Sequence, residues 1–128
     1  SKELPLHKIL YDKSEDIEAL IHTHSFYSTL WSCLSHENEQ DVMPRYTPYL
    51  KMRIGTIGLV PYAPPGTQEL FDHFEKRIHD ADGYLLKNHG PVVGDRDIIS
   101  AFYGLEELEE SAQIAWELRN EQRAQLIE

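Results

Sequence analysis

Three short apolar segments that favour β-strands are separated along this chain by segments with helical periodicity. The predicted strands comprise residues 17–24, 55–62 and 84–89. An acidic turn precedes the first strand, and glycine or proline residues bound the other two. Strands that alternate with helices predict a layered α/β domain, but the pattern leaves open whether neighbouring strands run parallel or antiparallel.

The helical segments are identified by their capping residues and by apolar residues that recur on one side. Helices are predicted at residues 4–11, 25–34, 67–82 and 97–119. Pro5 fits the first turn of the first helix, and Ser25 and Thr67 can act as N-caps of the second and third. A chain of 128 residues with 41% hydrophobic content is long enough for one domain with a single core.

The last predicted helix has one apolar and one acidic side. Its apolar side is assigned to Ile98, Ala101, Leu105, Leu108, Ala112 and Ala115. Its charge run consists of Glu106, Glu107, Glu109 and Glu110. We interpret this run as a solvated face, which is the usual arrangement for clustered like charges on a helix.

The chain is acidic, with a net charge of −10, and it contains a single cysteine. This charge argues against a nucleic-acid-binding surface, because affinity for the phosphate backbone requires clustered Lys and Arg. No apolar stretch is long enough to span a bilayer and nothing indicates secretion, so we expect a cytoplasmic protein without membrane contacts. Cys33 suits a reducing compartment and is predicted to fill a small space in the core.

Two histidines, His22 and His24, occupy alternate positions at the exit of the first predicted strand. Side chains alternate across a strand, so both project from the same face and can bind one metal ion. On this spacing alone, two histidines with separate hydrogen-bond partners are an equal alternative. His89 also ends a predicted strand, and Gly90 allows the backbone to turn beside a ligand. Three protein ligands around zinc leave a position for substrate, which favours a catalytic metal site.

Motifs at several places resemble the class II aldolase/adducin family, which includes sugar-phosphate aldolases, epimerases and decarboxylases. They are SKELPLH at residues 1–7, IHTHS at 21–25, VPY at 60–62 with GT at 66–67, and NHG at 88–90. The resemblance covers residues 1–128 and implies a layered α/β/α domain with a central, largely antiparallel sheet. It also implies that the N-terminal part of the family domain is missing from this chain.

The resemblance implies roles for individual residues. The metal ligands of the family correspond to His22, His24 and His89, and the metal is expected to be zinc, with manganese and cobalt as alternatives. The acid/base glutamate of the family corresponds to Glu3, which would move a proton at the enediolate carbon. Ser1 corresponds to a residue that helps to hold the substrate phosphate.

Two further interpretations concern substrate binding and subunit contacts. Lys2 is assigned to attraction of the substrate carboxylate or phosphate. The family builds its active sites between the subunits of a cyclic tetramer, with a tyrosine reaching the site, so the resemblance implies a homotetramer. Tyr49 is our candidate for this tyrosine and Tyr46 is its rival, while simple packing of both residues is an equal alternative.

Residues 1–7, 47–49 and 88–93 most closely resemble family members that decarboxylate a 3-oxo-tetronate 4-phosphate to dihydroxyacetone phosphate and carbon dioxide. The resemblance therefore implies a metal-dependent carbon–carbon lyase that passes through a metal-stabilised enediolate. A sugar-phosphate aldolase or 4-epimerase uses the same chemistry and is the first alternative. A non-catalytic interaction domain of the adducin kind is the second, although retention of the three histidines and Glu3 favours an enzyme.

Overall fold

The computed structural model describes residues 3–127, which form helices on both sides of a β-sheet. The helices are α1 (Leu4–Lys13), α2 (Phe26–Ser32), α3 (Tyr49–Arg53), α4 (Gln68–Arg77) and α5 (Ile98–Leu118). The strands are β1 (Ala19–His22), β2 (Ile57–Val60), β3 (Gly83–Leu86) and β4 (Gly90–Asp95). The predicted α/β class is confirmed.

The strands form one sheet in the order β1-β4-β3-β2. β4 pairs antiparallel with both of its neighbours, β1 and β3. β2 pairs parallel with β3, and α4 provides the crossover that a parallel connection requires. The expected largely antiparallel sheet is confirmed, and the parallel β2–β3 pair makes it a mixed sheet.

Two apolar clusters lie on opposite faces of this sheet. On one face, α1 and α4 contribute to a cluster that includes Leu6, Leu10, Phe74, Tyr84 and Leu86. On the other face, α2 and α5 contribute to a cluster that includes Trp31, Leu59, Leu85, Leu105 and Leu108. Neighbouring residues of β3 enter different clusters because successive side chains of a strand point to opposite faces. The result is the expected α/β/α layering.

A tight hairpin joins β3 to β4 at the point where a strand end was predicted. The predicted strand at residues 84–89 ends earlier, at Leu86, and Gly90 and Pro91, which were expected only to terminate it, begin β4, a strand that was not predicted. Asn88 and Gly90 have φ angles of 57° and 156°, and asparagine and glycine tolerate this region best. A Cβ atom at Gly90 would lie 2.3 Å from the carbonyl oxygen of Thr23, so the glycine lets the two segments approach closely. This contact brings His89 beside the segment that follows β1.

Some local predictions are confirmed and others are wrong. The Thr67 side chain accepts a hydrogen bond from the Leu70 amide, as expected for an N-cap, whereas the Ser25 side chain makes no cap hydrogen bond. Ile98 is 55% exposed and Cys33 is exposed, so neither fills the core as predicted. Within residues 3–127, no helix has both the length and the apolar character needed to cross a bilayer.

Candidate metal centre

His22 ends β1, where it pairs with Val92 of β4. Its Nδ1 atom lies 2.9 Å from the carbonyl oxygen of Pro91. A carbonyl oxygen only accepts hydrogen bonds, so Nδ1 carries the proton and donates it, which leaves the ring lone pair on Nε2. A backbone hydrogen bond of this kind fixes the orientation and tautomer of metal-binding histidines. The Nε2 atom of His22 is therefore presented as a ligand atom.

The three predicted histidine ligands converge, and each offers a ring nitrogen within 4.8 Å of the other two. The Nε2 atoms of His22 and His89 are 3.1 Å apart. The ring centroid of His24 lies 5.5 Å from that of His22 and 5.1 Å from that of His89. Two nitrogens that each lie about 2.0–2.1 Å from one zinc ion in tetrahedral geometry are separated by roughly 3.3 Å. The donor set and its spacing therefore fit one divalent cation.

Glu3 lies beside this histidine cluster, immediately before α1. Its carboxylate Oε1 is 3.5 Å from Nε2 of His89, and its side chain is 20% exposed. The structure thus brings the predicted acid/base residue next to the predicted metal ligands. Ser1 and Lys2 lie outside the described residues.

The two tyrosine candidates occupy other surfaces of the chain. Tyr49 begins α3, is 57% exposed, and lines a groove together with Met52 and Arg53. Tyr46 lines a different groove, which also includes Arg119. Within residues 3–127, neither tyrosine is hydrogen-bonded to the histidine cluster, and neither groove is lined by His22, His24 or His89. The catalytic assignment of Tyr49 stays a prediction.

Burial lowers the pKa of both His22 and His89 below the ordinary value of 6.5. Loss of hydration is the largest cause for each, and for His89 the proximity of His22 adds to it. The hydrogen bond to Pro91 and the charge of Glu3 partly oppose the lowering at His22. Neutral imidazole is the form that binds metal ions, so both residues are suited to binding at neutral pH.

We expect the metal-free protein to lose stability in mild acid through these histidines. Because their folded pKa values are depressed below 6.5, the unfolded chain takes up protons at a pH where the folded chain does not. Their contribution is present above pH 6.5 and is lost as the pH falls through the folded pKa values. Urea unfolding between pH 7.5 and pH 5 measures this loss.

The control for this experiment compares two histidine variants. His22→Gln should reduce the acid-dependent loss of unfolding free energy, whereas His79→Gln, at an exposed position, should leave it near the wild-type value. Equal pH dependence in wild type and His22→Gln would contradict the assignment.

Sequence reasoning placed Glu109 on a solvated face of the last helix, and this was wrong. Its carboxylate accepts hydrogen bonds from the backbone amides of Tyr27 and Ser28 and from the Ser28 hydroxyl. Helical periodicity could have indicated that Glu109 contacts another element, because it is four residues from Leu105 and borders the apolar side. Glu106 and Glu110 are exposed, as predicted.

The chain matches the family described as Class II Aldolase and Adducin N-terminal domain over residues 1–116. It belongs to the class II aldolase/adducin family. The match covers most of the chain and includes all three histidines and Glu3. The resemblance seen in the sequence motifs is therefore confirmed.

Relatives of this class II aldolase/adducin chain carry more than one activity. The 3-oxo-tetronate 4-phosphate decarboxylase of Pectobacterium atrosepticum is 39% identical over 114 residues, which cover 89% of this chain and 52% of that protein. The L-fuculose phosphate aldolase of Methanocaldococcus jannaschii is 40% identical over 114 residues, which cover 89% of this chain and 59% of that protein. The chain thus spans little more than half the length of these relatives.

A solved structure supports the family fold. YgbL from Escherichia coli matches this class II aldolase/adducin chain with a TM-score of 0.92 and 34% sequence identity. The match covers 100% of this chain and 61% of the YgbL chain. The layered architecture described above is therefore that of a family member.

Proposed function

We propose that this family member acts as a metal-dependent carbon–carbon lyase that decarboxylates a 3-oxo-tetronate 4-phosphate to dihydroxyacetone phosphate and carbon dioxide. The observation that carries the proposal is the convergence of three histidines with Glu3, whose carboxylate lies 3.5 Å from His89. Identity of 39% to a decarboxylase of this substrate supports the choice of reaction.

His22, His24 and His89 would hold the cation, for which we propose zinc, with manganese and cobalt as alternatives. When bound, a divalent cation acts as a Lewis acid that stabilises negative charge on the reacting carbonyl oxygen. The hydrogen bond to Pro91 keeps the His22 ring in one tautomer and one orientation. Burial of His89, which is 8% exposed, reduces competition from water at the site.

The reaction needs a proton at one carbon, and Glu3 is placed to provide it. When the carbon–carbon bond to the carboxylate breaks, carbon dioxide leaves. The electron pair of that bond stays on the substrate and moves toward the neighbouring ketone, which gives an enediolate. A protonated Glu3 then donates its proton to the former carboxylate-bearing carbon, and dihydroxyacetone phosphate results. The side chain is 20% exposed, so solvent can return the proton to its carboxylate.

The remaining assignments complete the proposal. We propose that Ser1 helps to hold the substrate phosphate, that Lys2 attracts an anionic substrate group, and that Tyr49 serves a site built between subunits. We also propose a cytoplasmic homotetramer. These assignments follow from membership of the family and not from contacts within residues 3–127.

A sugar-phosphate aldolase or 4-epimerase is the second candidate function. The observation that favours it is the 40% identity to L-fuculose phosphate aldolase, which is as high as the 39% identity to the decarboxylase. Both reactions place negative charge on the same type of enediolate, so the histidine cluster and Glu3 would serve either one. Substrate-binding residues decide between them.

Product analysis of the zinc-loaded protein distinguishes these functions. With a 3-oxo-tetronate 4-phosphate, we expect carbon dioxide and dihydroxyacetone phosphate in equal amounts. Release of dihydroxyacetone phosphate and an aldehyde from L-fuculose 1-phosphate, without turnover of the oxo-acid, would instead support the aldolase. Zinc binding without turnover of either substrate would contradict both and favour a non-catalytic domain.

A further inference from the structure

α2 contacts both segments that supply the proposed metal ligands. Its first residue, Phe26, follows His24 by two positions. Further along the helix, the Thr29 hydroxyl lies 3.4 Å from the carbonyl oxygen of His89. The Ser32 carbonyl accepts a hydrogen bond of 3.3 Å from the backbone amide of Asn88. A shift of α2 would therefore move the His24 segment and the His89 segment relative to each other.

The N-terminal turn of α2 is held by Glu109 of α5. Oε2 of Glu109 accepts a hydrogen bond of 2.8 Å from the Tyr27 amide. Oε1 accepts hydrogen bonds of 2.9 Å from the Ser28 amide and 2.8 Å from the Ser28 hydroxyl. The Ser25 side chain, at the N-cap position, makes no cap hydrogen bond. The carboxylate of a distant helix thus replaces a local cap for the amides of this turn.

The contact between Glu109 and α2 lies against the apolar core. Ser28 is fully buried and Glu109 is half-buried, so the Ser28 amide and hydroxyl are shielded from water on the protein side of the contact. Hydrogen bonds to an ionised carboxylate are also stronger than those between neutral groups. On either side of Glu109, Leu108 and Ala112 of α5 are fully buried in the apolar cluster on the sheet. Glu109 therefore ties α2 to a helix that is itself fixed against the sheet.

We propose that Glu109 is a positioning residue for the metal centre. It holds α2, and α2 in turn holds the backbone on either side of the histidine cluster. Partners that orient metal ligands commonly contribute about 10–100-fold in metal affinity. The inference rests on the proposed function in one respect, because it takes His22, His24 and His89 to be metal ligands.

The test is zinc affinity of the intact chain, measured by competition with a chromophoric chelator. We expect Glu109→Ala to bind zinc about tenfold more weakly than wild type. Glu109→Gln keeps one acceptor oxygen, so it should recover part of this loss. Glu110→Ala is the matched control, because it removes the same charge from the neighbouring exposed position and should bind zinc as wild type does.

Cobalt absorption spectra supply a second reading of the site. The visible absorption bands of bound cobalt report ligand geometry, so Glu109→Ala should alter these bands while Glu110→Ala should not. Circular dichroism identifies the variants that are folded at the assay temperature. If Glu109→Ala is unfolded, Glu109→Gln and Ser28→Ala take its place, since each removes only part of the network.

The outcomes separate this inference from the proposed function. Tight zinc binding by wild type, with equal affinity and an unchanged cobalt spectrum in folded Glu109 variants, would overturn the positioning role alone. Failure of wild type to bind zinc or cobalt would overturn the proposed function and the positioning role with it. Weaker binding in Glu109→Ala with partial rescue in Glu109→Gln would support the positioning role and the histidine metal site on which it rests.

Discussion

His89→Ala is expected to abolish tight zinc binding and to lower turnover by at least about 10²–10³-fold, the loss typical of removing one preorganised charge-stabilising group. His89 is 8% exposed, and its Nε2 lies 3.1 Å from that of His22. Its removal leaves two histidines, one of them exposed, which are too few to hold a catalytic cation with an open position. Elemental analysis after dialysis and steady-state kinetics measure the two effects.

The control for this substitution is His79→Ala, which removes an exposed histidine outside the cluster. It should keep wild-type zinc content and turnover. Circular dichroism of both variants verifies that they are folded. A folded His89→Ala protein that retains one tightly bound zinc ion per chain would contradict the assignment of His89 as a ligand.

Glu3→Gln is expected to reduce turnover by about 10²–10⁴-fold, the range for loss of a general acid or base. The amide is nearly the same size as the carboxyl group but cannot transfer the proton that the enediolate requires. Because the three histidines remain, zinc content should be unchanged. Kinetics and elemental analysis on the same preparation separate proton transfer from metal binding.

Glu15→Gln is a suitable comparison, because Glu15 is exposed in the turn after α1. Its kinetic constants should match those of wild type. Full turnover by a zinc-loaded Glu3→Gln protein would show that another group moves the proton. Loss of zinc from that variant would instead assign Glu3 to metal binding.

Much of the site could be predicted from local sequence patterns. His22 and His24 were predicted to share a face of one strand at residues 17–24, but β1 ends at His22 and His24 lies just beyond it. Their meeting with His89 was expected from a predicted strand end, but His89 lies in the turn between β3 and β4, and the meeting depends on pairing between β1 and β4. Proline within a central strand argues against that strand, so Pro91 led us to expect an end where β4 begins.

For the helices, too, local sequence patterns predicted positions within an element better than contacts between elements. Periodicity correctly placed Ala101 and Leu108 in the core, but it could not show that α2 lies opposite Glu109. It also placed Ile98 on the buried side, although the first turn of α5 is exposed. The short helix α3 was not predicted, since five residues carry too little pattern.

Assignment of Glu3 as an acid/base came from the family motif, because one glutamate before a helix has no distinctive spacing.

The hairpin at Gly90 has a consequence for how much variation this site can tolerate. The His89 and Thr23 segments meet there through main-chain atoms, with no room for even a methyl group between them. The main chain at Gly90 therefore sets how closely the His89 segment approaches the Thr23 segment. Directed evolution toward new substrates would therefore have almost no freedom at position 90.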